Sequence, residues 1–125
     1  MSFSDTWKNM FSKPYAAVGP REAENLVLRR GAVMLDVREQ YEWASGHAPA
    51  AMNIPVGTLG GRLSDVPADR PVVAVCHTGL RSARAARLLG HHSYEAYNLR
   101  GGMTAWSNAG FPLTTASRTS SSRTS

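Results

Sequence analysis

Cysteine is nearly absent from these 125 residues: Cys76 stands alone. A single thiol excludes an internal disulfide and leaves no zinc-finger spacing. It fits a reducing compartment. Long apolar runs are missing as well, with nothing near the ~18 residues that span a bilayer, so no transmembrane segment is expected. Asp5, Lys8 and Asn9 interrupt the start of the chain, which is not the apolar centre of a secretory signal. Lys and Arg outnumber Asp and Glu by 14 to 9, for a formal net charge of +5. That sign suits anionic ligands. The basic residues are dispersed, however, without a charge run or nucleic-acid motif, so nucleic acid is not an expected partner. What remains is ordinary globular composition, 42% hydrophobic and 18% charged. A chain of this length suits one domain that buries about two-thirds of its unfolded surface. The expectation is a soluble, cytoplasmic protein.

Three stretches of different character follow one another. Residues 1–13 are read as an N-terminal amphipathic helix, capped at Ser4 or Asp5, with Trp7, Met10 and Phe11 on one face. That face suits packing on the domain itself, with a partner or membrane surface as the other readings. Residues 14–113 are read as the folded domain. Apolar strand runs at 15–18, 32–36, 52–55, 71–75 and 95–99 alternate with helical stretches at 21–30, 39–45, 57–63, 82–89 and around Trp106. Gly31 is the expected stop of the first helix. The alternation predicts an α/β domain with a mainly parallel central sheet. Ligands of such sheets bind beyond the carboxyl ends of the strands, where Asp36 and Cys76 fall. Residues 114–125 hold Ser-Arg-Thr-Ser twice and no large apolar residue, and are read as a disordered tail.

The chemistry concentrates where the run Val72-Val73-Ala74-Val75 gives way to Cys76-His77-Thr78-Gly79-Leu80-Arg81-Ser82. A strand-to-helix turn presents amides and a helix N-terminus to whatever sits at its start, and a thiolate is favoured there. A free cysteine titrates near ~8.5, so making it mostly thiolate at neutral pH takes roughly 2.7 kcal/mol. The helix dipole contributes only ~0.3–1 kcal/mol. Converging loop amides and the Arg81 guanidinium must supply the rest. An inert core cysteine ending an apolar strand is the competing interpretation.

Four blocks decide between them. They are Leu35-Asp36-Val37-Arg38-Glu39 with Tyr41-Glu42-Trp43, Gly46-His47-Ala48-Pro49-Ala50-Ala51-Met52-Asn53-Ile54-Pro55, Cys76 to Ser82, and Leu99-Arg100-Gly101-Gly102-Met103 with Trp106. In this order and spacing the chain resembles a single-domain rhodanese, of the thiosulfate sulfurtransferase family. The resemblance implies a three-layer α/β/α domain and a sulfur-transfer cycle without cofactor or metal. Cys76 would take sulfane sulfur from thiosulfate as a persulfide and pass it to cyanide or a cellular thiol, in two half-reactions. The substrate-binding residues implied are His77, Thr78, Gly79, Leu80, Arg81 and Ser82, with Arg81 drawing in the dianion and Leu80 shaping the outer face. Asp36 is read as the partner of Arg81. Arg38 is read either as a substrate contact or as half of a structural ion pair. His47, Gly101, Gly102 and Trp106 are read as structural.

The partners implied are a small anionic sulfur donor and a thiophilic acceptor, which could be a protein. His77 stands where thiosulfate-using relatives often carry Arg, Lys or Gln, and mercaptopyruvate-using relatives a small residue. A sulfur-carrier or relay module for protein partners is the alternative function. A Cdc25-like phosphatase or arsenate reductase is the rival chemistry, but its loop holds five residues between Cys and Arg; here four separate Cys76 from Arg81.

Overall fold

The computed structural model describes residues 14–115. The proposed helix at 1–13 and the tail beyond 115 lie outside the described residues. Strands and helices alternate as β1 (Tyr15–Val18), α1 (Pro20–Arg30), β2 (Val33–Asp36), α2 (Gln40–Ser45) and β3 (Met52–Asn53). They continue as α3 (Val56–Leu59), β4 (Val72–Val75), α4 (Leu80–His91), β5 (Ala96–Leu99) and α5 (Gly102–Asn108). A single 3-10 turn, Leu63–Asp65, lies between α3 and β4.

All strand pairs are parallel, in the order β1-β5-β4-β2-β3. The central strand β4 is buried at every position because both faces of the sheet are covered. Val72 and Ala74 point into one core with Leu35, Leu59, Ala85 and Leu89. Val73 and Val75 point into the other with Val18, Ala23, Met34, Met103 and Trp106. This is the three-layer α/β/α arrangement.

Local chemistry sets the ends of the elements. Pro20 opens α1, and Gly31 closes it at φ 65°, a left-handed conformation that glycine adopts without Cβ strain. Glu42 accepts from the Glu39 backbone N–H at 2.9 Å, satisfying an orphan donor at the start of α2. After α2 the chain is pinned by an aromatic stack. The rings of Trp43 and His47 lie 4.0 Å apart, and His47 Nδ1 sits 2.7 Å from the Trp43 carbonyl. A carbonyl can only accept, so Nδ1 carries a hydrogen. The structural reading of His47 follows. Trp106 donates from Nε1 to the Pro112 carbonyl at 3.0 Å, and Thr114 pairs in antiparallel fashion with His47, so residues 112–114 remain fastened to the domain. Among the described residues, no helix is long and apolar enough to cross a membrane.

Candidate active site

Cys76 directly follows the central strand β4 and is buried, at 1% exposure. Past it the backbone turns through Gly79, at φ 114°, into α4. That positive φ directs the Gly79 amide inward, 3.1 Å from Cys76 Sγ. The hydroxyl of Ser82, one turn into the helix and fully buried, lies 3.3 Å from the same sulfur. Burial alone pushes the Cys76 thiol up. The Ser82 hydroxyl and the amides of Ser82, Gly79 and Thr78 outweigh it, and the thiol falls below the ordinary cysteine range. A cysteine that was only core would lack these converging donors.

The loop is braced from behind by α5. Met103 N–H donates to the Cys76 carbonyl at 2.8 Å and Thr104 N–H to the His77 carbonyl at 3.2 Å. Such an approach requires Gly102. A Cβ there would fall 2.3 Å from the Cys76 carbonyl oxygen and 2.5 Å from that of His77, and Gly102 itself stands at φ 57°. A second brace comes from β5, where Asn98 donates from Nδ2 to the Gly79 carbonyl at 3.2 Å and accepts from Ser82 Oγ at 2.5 Å.

The charged residues are arranged differently from the expectation. Asp36 does not pair with Arg81. It is fully buried at the end of β2, and the Arg38 side chain folds back over it, with Nε at 3.0 Å and Nη2 at 2.7 Å from its carboxylate. Arg38 Nη2 also donates to the Gly46 carbonyl at 2.7 Å, so its guanidinium ties β2 to the end of α2. The structural ion pair is the reading of Arg38 that these bonds favour. Arg81 starts one residue inside α4, not in the loop, and projects toward α2. There Glu42 receives it in a two-pronged bond, at 2.7 and 3.0 Å. This pairing with Arg81, together with the Glu39 N–H, holds the Glu42 carboxyl down at about 2 despite partial burial. His77, Thr78 and Leu80 are exposed on the rim, Leu80 by 80%. A groove of about 400 Å³ opens beside them between Arg38, Glu42, His77, Met103, Thr104 and Leu113.

The fold that carries this sulfur has known counterparts. The model of the rhodanese-like domain matches residues 19–109. The chain belongs to that family. A sulfurtransferase of Allochromatium vinosum is 35% identical over 92 residues, covering 73% of this chain and 86% of its own. Thiosulfate sulfurtransferase GlpE of Actinobacillus pleuropneumoniae is 27% identical over 106 residues, covering 84% of this chain and 98% of its own. Among solved structures, a rhodanese-related protein from Thermoplasma volcanium superposes with a TM-score of 0.73 at 27% identity, covering 80% of this chain and 98% of its own.

Two residues of this rhodanese-like site hold roles that the sequence alone does not assign. Glu42 lies inside the first of the four blocks, and its spacing of three from Glu39 marks it as an N-terminal helix carboxylate. Asn98 is a polar residue at the end of a strand in a sheet covered on both faces. A buried amide there has to be hydrogen-bonded, and the cysteine loop is what lies beyond that strand end.

Proposed function

We propose that this chain is a sulfurtransferase that carries sulfane sulfur on Cys76, with thiosulfate as donor. The observation that supports this most is the sulfur itself, enclosed yet held toward the thiolate by the Gly79 amide at 3.1 Å and the Ser82 hydroxyl at 3.3 Å. The thiolate attacks the outer sulfur of thiosulfate. A new S–S bond forms to Cys76, the old one breaks, and its electron pair leaves with sulfite. The persulfide's negative charge then lies on the outer sulfur, within reach of the loop amides. In the second half-reaction an acceptor nucleophile attacks that outer sulfur, and Cys76 departs as thiolate with the bonding pair. No net oxidation is required of the protein, and the kinetics are ping-pong.

Arg81 contributes less to donor binding than its position in the motif implied, because Glu42 already neutralises it. The dianion is met chiefly by amide donors. The groove beside His77, at about 400 Å³, is larger than cyanide needs and favours a thiol with an organic body as the cellular acceptor. The same feature supports the relay reading, in which the acceptor thiol belongs to a protein. Four residues between Cys76 and Arg81 make a small ring that suits one sulfur atom better than a phosphoryl group.

The test is steady-state turnover of thiosulfate with cyanide. Parallel double-reciprocal lines and complete loss of turnover in Cys76→Ser are expected. Turnover that survives in Cys76→Ser, or Cys76-dependent hydrolysis of an aryl phosphate without sulfur transfer, would overturn the assignment.

A further inference from the structure

Ser82 has one hydroxyl hydrogen and two acceptors within reach. Its Oγ lies 3.3 Å from Cys76 Sγ and 2.5 Å from Asn98 Oδ1. The choice between them is made from β5. The Gly79 carbonyl, 3.2 Å from the Asn98 amide nitrogen, can only accept, so the NH2 end of the amide faces Gly79 and its oxygen faces Ser82. That oxygen also can only accept. While Cys76 is a protonated thiol, the Ser82 hydrogen at 2.5 Å therefore lies between the two oxygens, since two bare lone pairs at that separation would repel. Ser82 is fully buried and Asn98 is 8% exposed, so bulk water replaces neither partner. With its hydrogen on Asn98, Ser82 presents only a lone pair to the sulfur, which suits a protonated thiol and not a thiolate.

We propose that Asn98 is a positioning residue that competes with the Cys76 sulfur for the Ser82 hydrogen, so that this hydrogen follows the charge through the reaction. The proposal rests on the sulfur-transfer reading of Cys76. While the charge is on Sγ, the hydroxyl turns to it and donates. Once Sγ carries a second sulfur, the charge is on the outer atom and the inner one is a weak, neutral acceptor. The hydroxyl then returns to Asn98 Oδ1. The loop amides keep the outer sulfur, and Asn98 keeps the Gly79 carbonyl, so the loop stays in place through both half-reactions. No covalent bond to Asn98 is made or broken, and Ser82 keeps its proton throughout.

The titratable and charged groups around the loop include His77 within it, Arg81 on α4 with Glu42 of α2 and Glu39 before it, the Asp36–Arg38 pair ending β2, and Arg100 beyond β5. None of these hydrogen-bonds to Asn98 or Ser82 in the contacts that hold the network.

The experiment is the pH profile of Cys76 alkylation by iodoacetamide, with no sulfur donor present, in the full chain. Asn98→Leu keeps the branched shape but offers no acceptor. Ser82 then donates to sulfur alone, and alkylation at about pH 6 should rise roughly tenfold. Asn98→Asp offers a stronger acceptor and a negative charge, and should lower the rate by a similar factor, about tenfold. Asn98→Ala, which also lacks the acceptor and demands less space, should show the same rise and serves if the leucine variant does not fold. Every variant loses the bond to Gly79, so simple loosening of the loop would move all profiles the same way. Parallel shifts, or unchanged profiles, would overturn the proposal. Sulfur loading is measured separately: a wild-type chain that never loads refutes the sulfur-transfer reading and leaves the opposite alkylation shifts standing.

Discussion

Gly102→Ala isolates the brace behind the cysteine loop. Two costs are separable at this position. An alanine held at φ 57° pays about 1–2 kcal/mol for the left-handed conformation alone. Its Cβ would also lie 2.3 Å from the Cys76 carbonyl oxygen and 2.5 Å from that of His77, both backbone atoms with no rotamer to escape through. Relieving such overlap forces the loop and α5 apart, for about 1–3 kcal/mol more. Met103 and Thr104 then lose their bonds to those carbonyls. Gly110 is the control, because it has φ 86° and a methyl group added there would meet nothing within 4 Å. Gly110→Ala should therefore cost only the first part. Urea unfolding followed by tryptophan fluorescence gives the two free energies. We expect Gly102→Ala to be less stable than Gly110→Ala by about 1–3 kcal/mol, with slower alkylation of Cys76 near neutral pH. Equal destabilisation, with Cys76 reactivity untouched, would refute the claim that close approach of α5 holds the loop.

Three further variants probe the charged and polar contacts. Asp36→Ala strands the Arg38 guanidinium, 8% exposed at its side chain, and should destabilise the domain by about 3–5 kcal/mol in the same unfolding assay. Glu42→Gln tests a pH effect of known sign. The folded-state carboxyl of Glu42 is depressed to about 2, so its contribution is fully present above its unfolded value near ~4.3 and is lost as pH falls toward about 2. The pair is partly solvated, so the wild type should exceed the variant by only about 1 kcal/mol above roughly pH 5, and the two should converge near about pH 2. The same variant frees Arg81, and should lower the KM for thiosulfate with a stronger salt dependence than wild type. Ser82→Ala removes one donor from the sulfur, and should shift the pH profile of Cys76 alkylation upward.

The elements were legible because their signals are local. Four consecutive apolar residues in β4 announce a strand covered on both faces, and Gly31 marks the end of α1 wherever that helix packs. The loop was legible too, since an apolar strand running into Cys76 and Gly79 before a helix leaves few places for its amides to point. The partners of the charged residues were not. Asp36 is sequence-near Arg38 and motif-near Arg81, and only the direction in which α4 leaves the loop separates those options. Once α4 begins at Leu80, Arg81 faces α2, and Glu42 is the carboxylate it meets. Asn98 was hidden for a related reason. Its neighbours Gly79 and Ser82 are 19 and 16 residues away in the chain, and only the adjacency of β4 and β5 brings them within hydrogen-bonding distance.

The central claim is that Cys76 holds a transferable sulfur, and intact mass spectrometry after incubation with thiosulfate tests it most directly. The wild type should gain the mass of one sulfur, lose it on addition of cyanide, and show no gain in Cys76→Ser. A wild-type chain that never gains sulfur, or a Cys76→Ser chain that gains it equally, would contradict the account.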